Sequence, residues 1–287
     1  RRAADQASLA PGGSRRLACL GNRSESPMRL PYALDDGPGA RAAIGLILLQ
    51  TDVVAEVEIA TAFPEPDVAL HHGRIPFDPQ VRPETLARMG AALPEAAALL
   101  PGARPLDAVA YCCTSGATMI GAERVDAAIR AAHPTAAVTD PLRAVCAALS
   151  ALRAKRIALL TPYRADVTAA LAETLSAAGF EVAACGSFEQ ETDALVARIA
   201  PASVEAAMIE LGAGDDVDVV FGSCTNLRGF GSIAKVEAAL GKPAITSNLA
   251  LAWMLRRLCG LPTAEAGPGR LFATSETAAP APAALQA

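Results

Sequence analysis

The chain has 287 residues, 52% of them hydrophobic, which is enough to bury one large core or two smaller ones without disulfide staples. Its formal net charge of -5 gives no general basic footprint for nucleic acid, so a small-molecule partner is favoured. No apolar run reaches the roughly 18 to 20 residues that span a bilayer, and no membrane partner is expected.

Residues 1–27 mix Arg, Ser, Gly and Pro without apolar periodicity, and Met28 stands just before more ordered sequence. Residues 1–40 are therefore expected to form a disordered extension, with Met28 as the native start. A transit peptide is the alternative, and Asp5, Glu25 and the lack of an amphipathic pattern weigh against it. From Ala42, short apolar runs alternate with helical patterns: AAIGLILL, LARMGAALPEAAALL, LDAVAYCC, AERVDAAIRAA and TAAVTDP. The order then returns as KRIALLTPY, VTAALAETLSAAGF, VDVVFGSC, AKVEAALG and PAITSN. This rhythm predicts parallel sheets with crossover helices.

A shift of 111 residues carries Cys113 onto Cys224, Asp107 onto Asp218, Val109 onto Val220 and Thr114 onto Thr225, and it continues through the following helix. The repeat predicts two pseudo-symmetric Rossmann-like α/β domains, at 41–152 and 153–262, with a shared cleft between them. The last strand and helix of the second domain are expected to cross back to the first. Residues 263–287 read as a disordered tail.

Seven cysteines, at 19, 112, 113, 146, 185, 224 and 259, show no disulfide spacing, which points to a reducing cytoplasm. Isolated cysteines most often fill cores, and Cys146, Cys185 and Cys259 take that reading, while Cys19 falls in the extension. Cys112 should point away from the cleft by strand alternation. Cys113 and Cys224 differ, because each ends an apolar strand and precedes polar residues: Cys113-Thr114-Ser115-Gly116 and Cys224-Thr225-Asn226. Strand ends of this kind face ligands. Backbone N–H groups and the Thr, Ser and Asn side chains can cradle a carboxylate beside each thiol, and a helix start can lower a thiol's pKa from about 8.5.

Two such thiols can act on both faces of one carbon, one as thiolate and one as acid. Tyr163, at the end of LLTPY, and Gln50, Thr51 and Asp52, at the end of the first strand, can also reach a polar ligand, although ring packing and turn formation are their ordinary roles. Zinc is disfavoured: no CxxC occurs, and the histidines are His71, His72 and His133, the first two expected on a loop. No phosphate loop, dinucleotide fingerprint or GxSxG elbow is present, so no cofactor is expected.

The segments IGLILLQTD, CTSGATMIG, LLTPY, SCTNLR and KPAITSNLALAW resemble the aspartate/glutamate racemase superfamily, in its branch of maleate cis-trans isomerases, arylmalonate decarboxylases and ectoine-utilisation relatives. The resemblance covers about residues 41 to 260. It implies a cofactor-independent isomerase or racemase acting on a small carboxylate, maleate-like or acidic amino-acid-like, with catalytic Cys113 and Cys224. Substrate contacts are implied for Gln50, Thr51, Thr114, Ser115, Tyr163, Asp193, Thr225 and Asn226, and a homo-oligomer is implied as well. Asp193 departs from the asparagine of the isomerases and would repel a carboxylate. The decarboxylases, the alternative reading, use a single catalytic cysteine. A rival of another class is a non-catalytic small-molecule binding protein of a catabolic operon, against which the two retained cysteines argue.

Overall fold

The computed structural model describes residues 30–77, 85 and 88–274. The expectations for residues 1–27, Cys19 and Met28 lie outside the described residues. Leu30, Tyr32 and Leu34 are exposed and belong to a unit ending at Asp36, separate from the compact unit that starts at Gly37 and holds all the elements below.

The first half runs β1 (Ala42–Leu49), α1 (Ala55–Ala60), β2 (Val68–Ile75), a short 3-10 turn (Met89–Ala92), α2 (Leu93–Ala98), β3 (Ala108–Cys112), α3 (Thr114–Ile120), α4 (Ala122–Arg130), β4 (Ala137–Thr139) and α5 (Pro141–Ala151). The second runs β5 (Arg156–Thr161), α6 (Ala165–Ala177), β6 (Glu181–Ser187), α7 (Asp193–Val196), α8 (Pro201–Gly212), β7 (Val219–Gly222), α9 (Ile233–Leu240), β8 (Ala244–Thr246) and α10 (Ser247–Leu258). All pairings are parallel, and the sheets share one topology, β2-β1-β3-β4 and β6-β5-β7-β8. The fold is α/β with two parallel sheets, and the repeat is visible as this common strand order.

Central β1 is buried along its whole length, as a strand covered on both faces must be. Gly45 within it admits the close approach of the α2 side, since a Cβ there would stand 2.7 Å from Leu100 Cδ1 and 3.0 Å from Leu106 Cδ1. The repeat has a physical function at its aspartates. Asp107 accepts from Ala43 N at 2.8 Å, and Asp218 accepts from Lys155 N and Arg156 N at 2.8 Å. Each thus pins the entry of its central strand to the neighbouring strand.

Equivalent caps start the last helix of each half. Asp140 accepts from Arg143 N at 3.0 Å ahead of Pro141, and Thr246 Oγ1 accepts from Leu249 N at 3.1 Å. The final helix α10 packs on α5 and α1 of the first half. Its Arg256, buried, is held by Glu65 Oε1 at 2.6 Å, by Pro262 O at 2.6 Å and by Ala62 O.

Several sequence expectations need correction. His71 and His72 lie on strand β2, paired with Gly45 and Leu46, and not on a loop. The edge strands β2 and β6 have half-exposed, mixed side chains that weaken the apolar signal. Cys185, on β6, is exposed and fills no core, whereas Cys259, half-buried, packs against the core as expected. Residues 263–274, expected as tail, pack: Leu271 and Phe272 are buried, and Arg270 N donates to Glu237 Oε2 at 3.0 Å. Two apolar side chains and one cap in a Pro- and Gly-rich stretch leave no periodic trace in the sequence. Among the described residues no helix is long and apolar enough to cross a membrane.

Candidate active site

Strands β3 and β7 end at the same level of their sheets and deliver Cys113 and Cys224 into one cavity. It is lined by both halves: Leu49, Asp52, Phe77, Cys113 and Ser115 from the first, and Tyr163, Asp193, Val196, Cys224, Thr225 and Asn226 from the second. Its volume is about 10 Å³, room for roughly one water. A four-carbon acid therefore enters only when the surrounding segments part.

Cys113 is the N-cap of α3, and its Sγ accepts from Gly116 N at 3.2 Å and lies 3.6 Å from Ser115 Oγ. Gly116 is required by crowding, because a Cβ there would collide with the Tyr111 hydroxyl and stand 3.0 Å from Cys113 Sγ. Cys224 takes the related position by a different route. Its φ of 109° is a strained conformation for a side chain with a Cβ, of a kind that clusters at functional sites. Its Sγ accepts from Asn226 N at 3.4 Å.

Each thiol faces a tyrosine hydroxyl. Tyr163 Oη neighbours Cys224 and lies 3.4 Å from Ser223 Oγ. Tyr111, two residues before Cys113, is fully buried, and its hydroxyl has no other partner. The Cys113 sulfur lies beside that hydroxyl, and hydrogen bonding to it favours the thiolate. Tyr111 was missed by sequence reasoning because strand alternation, the signal that places it on the Cys113 face, does not tell a reactive hydroxyl from core packing.

Burial outweighs these donors. It pushes the Cys113 thiol up to about 11, the serine, glycine and tyrosine donors pulling the other way, and it pushes Cys224 well above the usual thiol range. The lowered pKa expected at a helix start is therefore not found in this closed cavity: desolvation is the larger effect, and both thiols rest protonated.

The remaining predicted residues divide sharply. Ser115, Tyr163, Asp193, Thr225 and Asn226 line the cavity. Gln50 is exposed outside the lining, at the turn beyond β1. Thr114 is also off the lining: its hydroxyl donates at 2.8 Å to Ser247 Oγ, which in turn accepts from Cys224 N at 3.1 Å. Thr225 Oγ1 donates to Cys112 O at 3.2 Å. Asn226 holds the halves together: its Oδ1 accepts from Val53 N at 3.1 Å, and its Nδ2 donates to Asp193 O at 3.1 Å. These polar side chains join the two cysteine turns to each other, which explains polarity in a buried place.

Thr51 reaches the cavity through Asp193, donating to its Oδ2 at 2.6 Å. Asp52, adjacent in sequence, lines the cavity itself and is fully buried. Burial raises the pKa of both carboxyls.

Comparison with known proteins finds similar sequences and similar folds. Residues 95–272 match the family described as arylmalonate decarboxylase. The maleate isomerase of Pseudomonas putida is 28% identical over 235 residues, 78% of this chain and 92% of that protein. The structure of a Cys-to-Ser mutant of the Nocardia farcinica maleate cis-trans isomerase, with a covalently bound succinylcysteine intermediate, is 26% identical with a TM-score of 0.74, covering 80% of this chain and 98% of its own. A liganded double mutant of arylmalonate decarboxylase is 27% identical with a TM-score of 0.71, covering 82% and 100%.

Proposed function

The chain belongs to the arylmalonate decarboxylase family, and from that premise we propose that it is a cofactor-independent isomerase of small unsaturated carboxylates, acting through Cys113 and Cys224. The observation that carries this reading is that two thiols from repeat-related strand ends line one cavity. A covalent cysteine adduct in a related maleate isomerase of the same fold supports it.

Cys113 is the nucleophile in this reading, because the Gly116 amide and the Ser115 and Tyr111 hydroxyls gather on its sulfur. Cys113 first gives its proton to solvent while the cavity is open for the substrate. The resulting thiolate adds to one carbon of a cis double bond, forming a C–S bond, while the π pair moves to the neighbouring carbon and takes the proton of Cys224. The bond between the two carbons is now single and rotates. Cys224 then removes the same proton, the pair re-forms the double bond in trans geometry, and the C–S bond breaks to return the Cys113 thiolate. Ser115 and Tyr163 would orient the carboxylate end, with Thr225 in the wall beside them.

Racemisation of an acidic amino acid uses the same two groups without the C–S bond. Arylmalonate-type decarboxylation is the second reading, supported by the family match; against it stands the second thiol, which decarboxylation does not require. Proton NMR of maleate in deuterium oxide tests the proposal: conversion to fumarate carries it, whereas carbon dioxide release from an arylmalonate would transfer the chain to the second reading. A homo-oligomer in the cytoplasm completes the proposal, supported by exposed Val53 just ahead of α1 and exposed Val57 on it, and by free thiols at the described cysteines.

A further inference from the structure

Two carboxyl groups stand in the cavity wall with the two thiols. Asp52 is 0% exposed. Its Oδ1 accepts from Val54 N and Ala55 N, both at 2.9 Å, but its Oδ2 is buried without a partner. The Thr225 hydroxyl is near, yet its one hydrogen is directed at Cys112 O. Asp193 lines the same cavity, where its Oδ2 accepts from Thr51 and the Asn226 side-chain amide stands beside its carboxyl. Among the described lining residues there is no Lys, Arg or His.

A buried acceptor left without a donor costs roughly 1–3 kcal/mol, and where it stands in the wall of a ligand cavity a bound ligand can supply the missing hydrogen. A second carboxylate cannot supply it. A dicarboxylate dianion would bring its far end against two carboxyl groups, so it would bind only with proton uptake.

Resting on the isomerase reading, we propose that the preferred ligand is a monocarboxylate whose other end is a hydrogen-bond donor, an amide or an ammonium group, received by Asp52 Oδ2 and Asp193. Asp52 and Asp193 are then the specificity-determining residues, separating half-amides and amino acids from simple dicarboxylates.

Unreactive four-carbon analogues test this without turnover. Succinate, succinamate and 4-aminobutanoate are titrated calorimetrically into the full-length protein at pH 8. The wild type should bind succinamate or 4-aminobutanoate at least about tenfold more tightly than succinate, the two arms separating amide from ammonium. Asp52→Asn and Asp193→Asn should each move the ratio toward succinate by about tenfold, because an uncharged amide now donates to the carboxylate. In the wild type alone, succinate binding should strengthen as pH falls from 8 to 5, which keeps the idea testable if a variant does not fold. Equal or tighter binding of succinate at pH 8, binding of none of the three, or an unchanged ratio in folded variants would overturn it. NMR of maleamate beside maleate separates this from the underlying reading. No isomerisation of either with the binding preference intact sinks the reaction alone, and isomerisation with maleate preferred sinks the specificity alone.

Discussion

Thr51, just past β1 in the first half, donates a 2.6 Å hydrogen bond to Asp193 at the start of α7 in the second. One hydroxyl thereby fixes a buried carboxyl from the other half beside both thiols. Thr51→Val keeps the shape and removes the donor. It should cost about 1–2 kcal/mol in chemical denaturation and raise the ligand's KM more than it lowers kcat, since the Asp193 carboxyl loses its hydroxyl donor and keeps only Asn226 beside it. An unchanged KM would show that Asp193 needs no fixing.

Cys113→Ser and Cys224→Ser should each lower turnover by about a thousandfold or more, with circular dichroism unchanged, because an alkoxide is not accessible to serine at neutral pH. Mass spectrometry should find an adduct retained on Cys113 in the Cys224→Ser protein. An adduct on Cys224 in the reciprocal variant alone would reverse the assigned roles.

The buried thiols should be slow to alkylate. Cys185 is exposed and should react with iodoacetamide first, while Cys113, at about 11, carries little thiolate at pH 7.5. Ligand-free Cys113 should label at least about a hundredfold more slowly than Cys185, gaining rate as pH rises toward 10. Peptide mapping after timed quenching reads this order; fast labelling of Cys113 at neutral pH would mean that the cavity opens freely.

Tyr111→Phe removes a buried hydroxyl with no partner other than sulfur. Thermal stability should hold or rise, whereas the pH profile of turnover should shift to higher pH and the rate at pH 7.5 fall by about tenfold. A lower melting temperature with an unmoved profile would make the residue purely structural.

Glu58 gives a pH dependence to stability. Its Oε2 accepts from Asn248 Nδ2 at 2.7 Å and its Oε1 from Phe230 N at 3.1 Å, but burial dominates and raises it from 4.5 to about 7. With the folded value above the unfolded one, the fold binds this proton more tightly. The contribution is complete below pH 4.5 and is lost as pH rises to about 7. Glu58→Gln should remove that dependence: between pH 5 and 8 the wild type should lose on the order of 2 kcal/mol relative to the variant in urea unfolding. Parallel curves for the two proteins would contradict it.

The sequence alone determined the doubled architecture, because apolar runs and the shift joining Asp107 to Asp218 and Cys113 to Cys224 are local patterns repeated in order. It placed the thiols at strand ends for the same reason. What it could not decide depends on groups far apart in the chain. Asn226 meets Val53, Ser247 meets Thr114 and Cys224, and Asp52 enters the cavity in place of its neighbour Gln50. The thiols' pKa was decided there too, since a helix start lowers it while burial, a property of the assembled halves, raises it by more. Local periodicity fixes which residues share a strand or helix face; only the closing of the two sheets on one another sets which polar groups lose water, and that loss governs the chemistry.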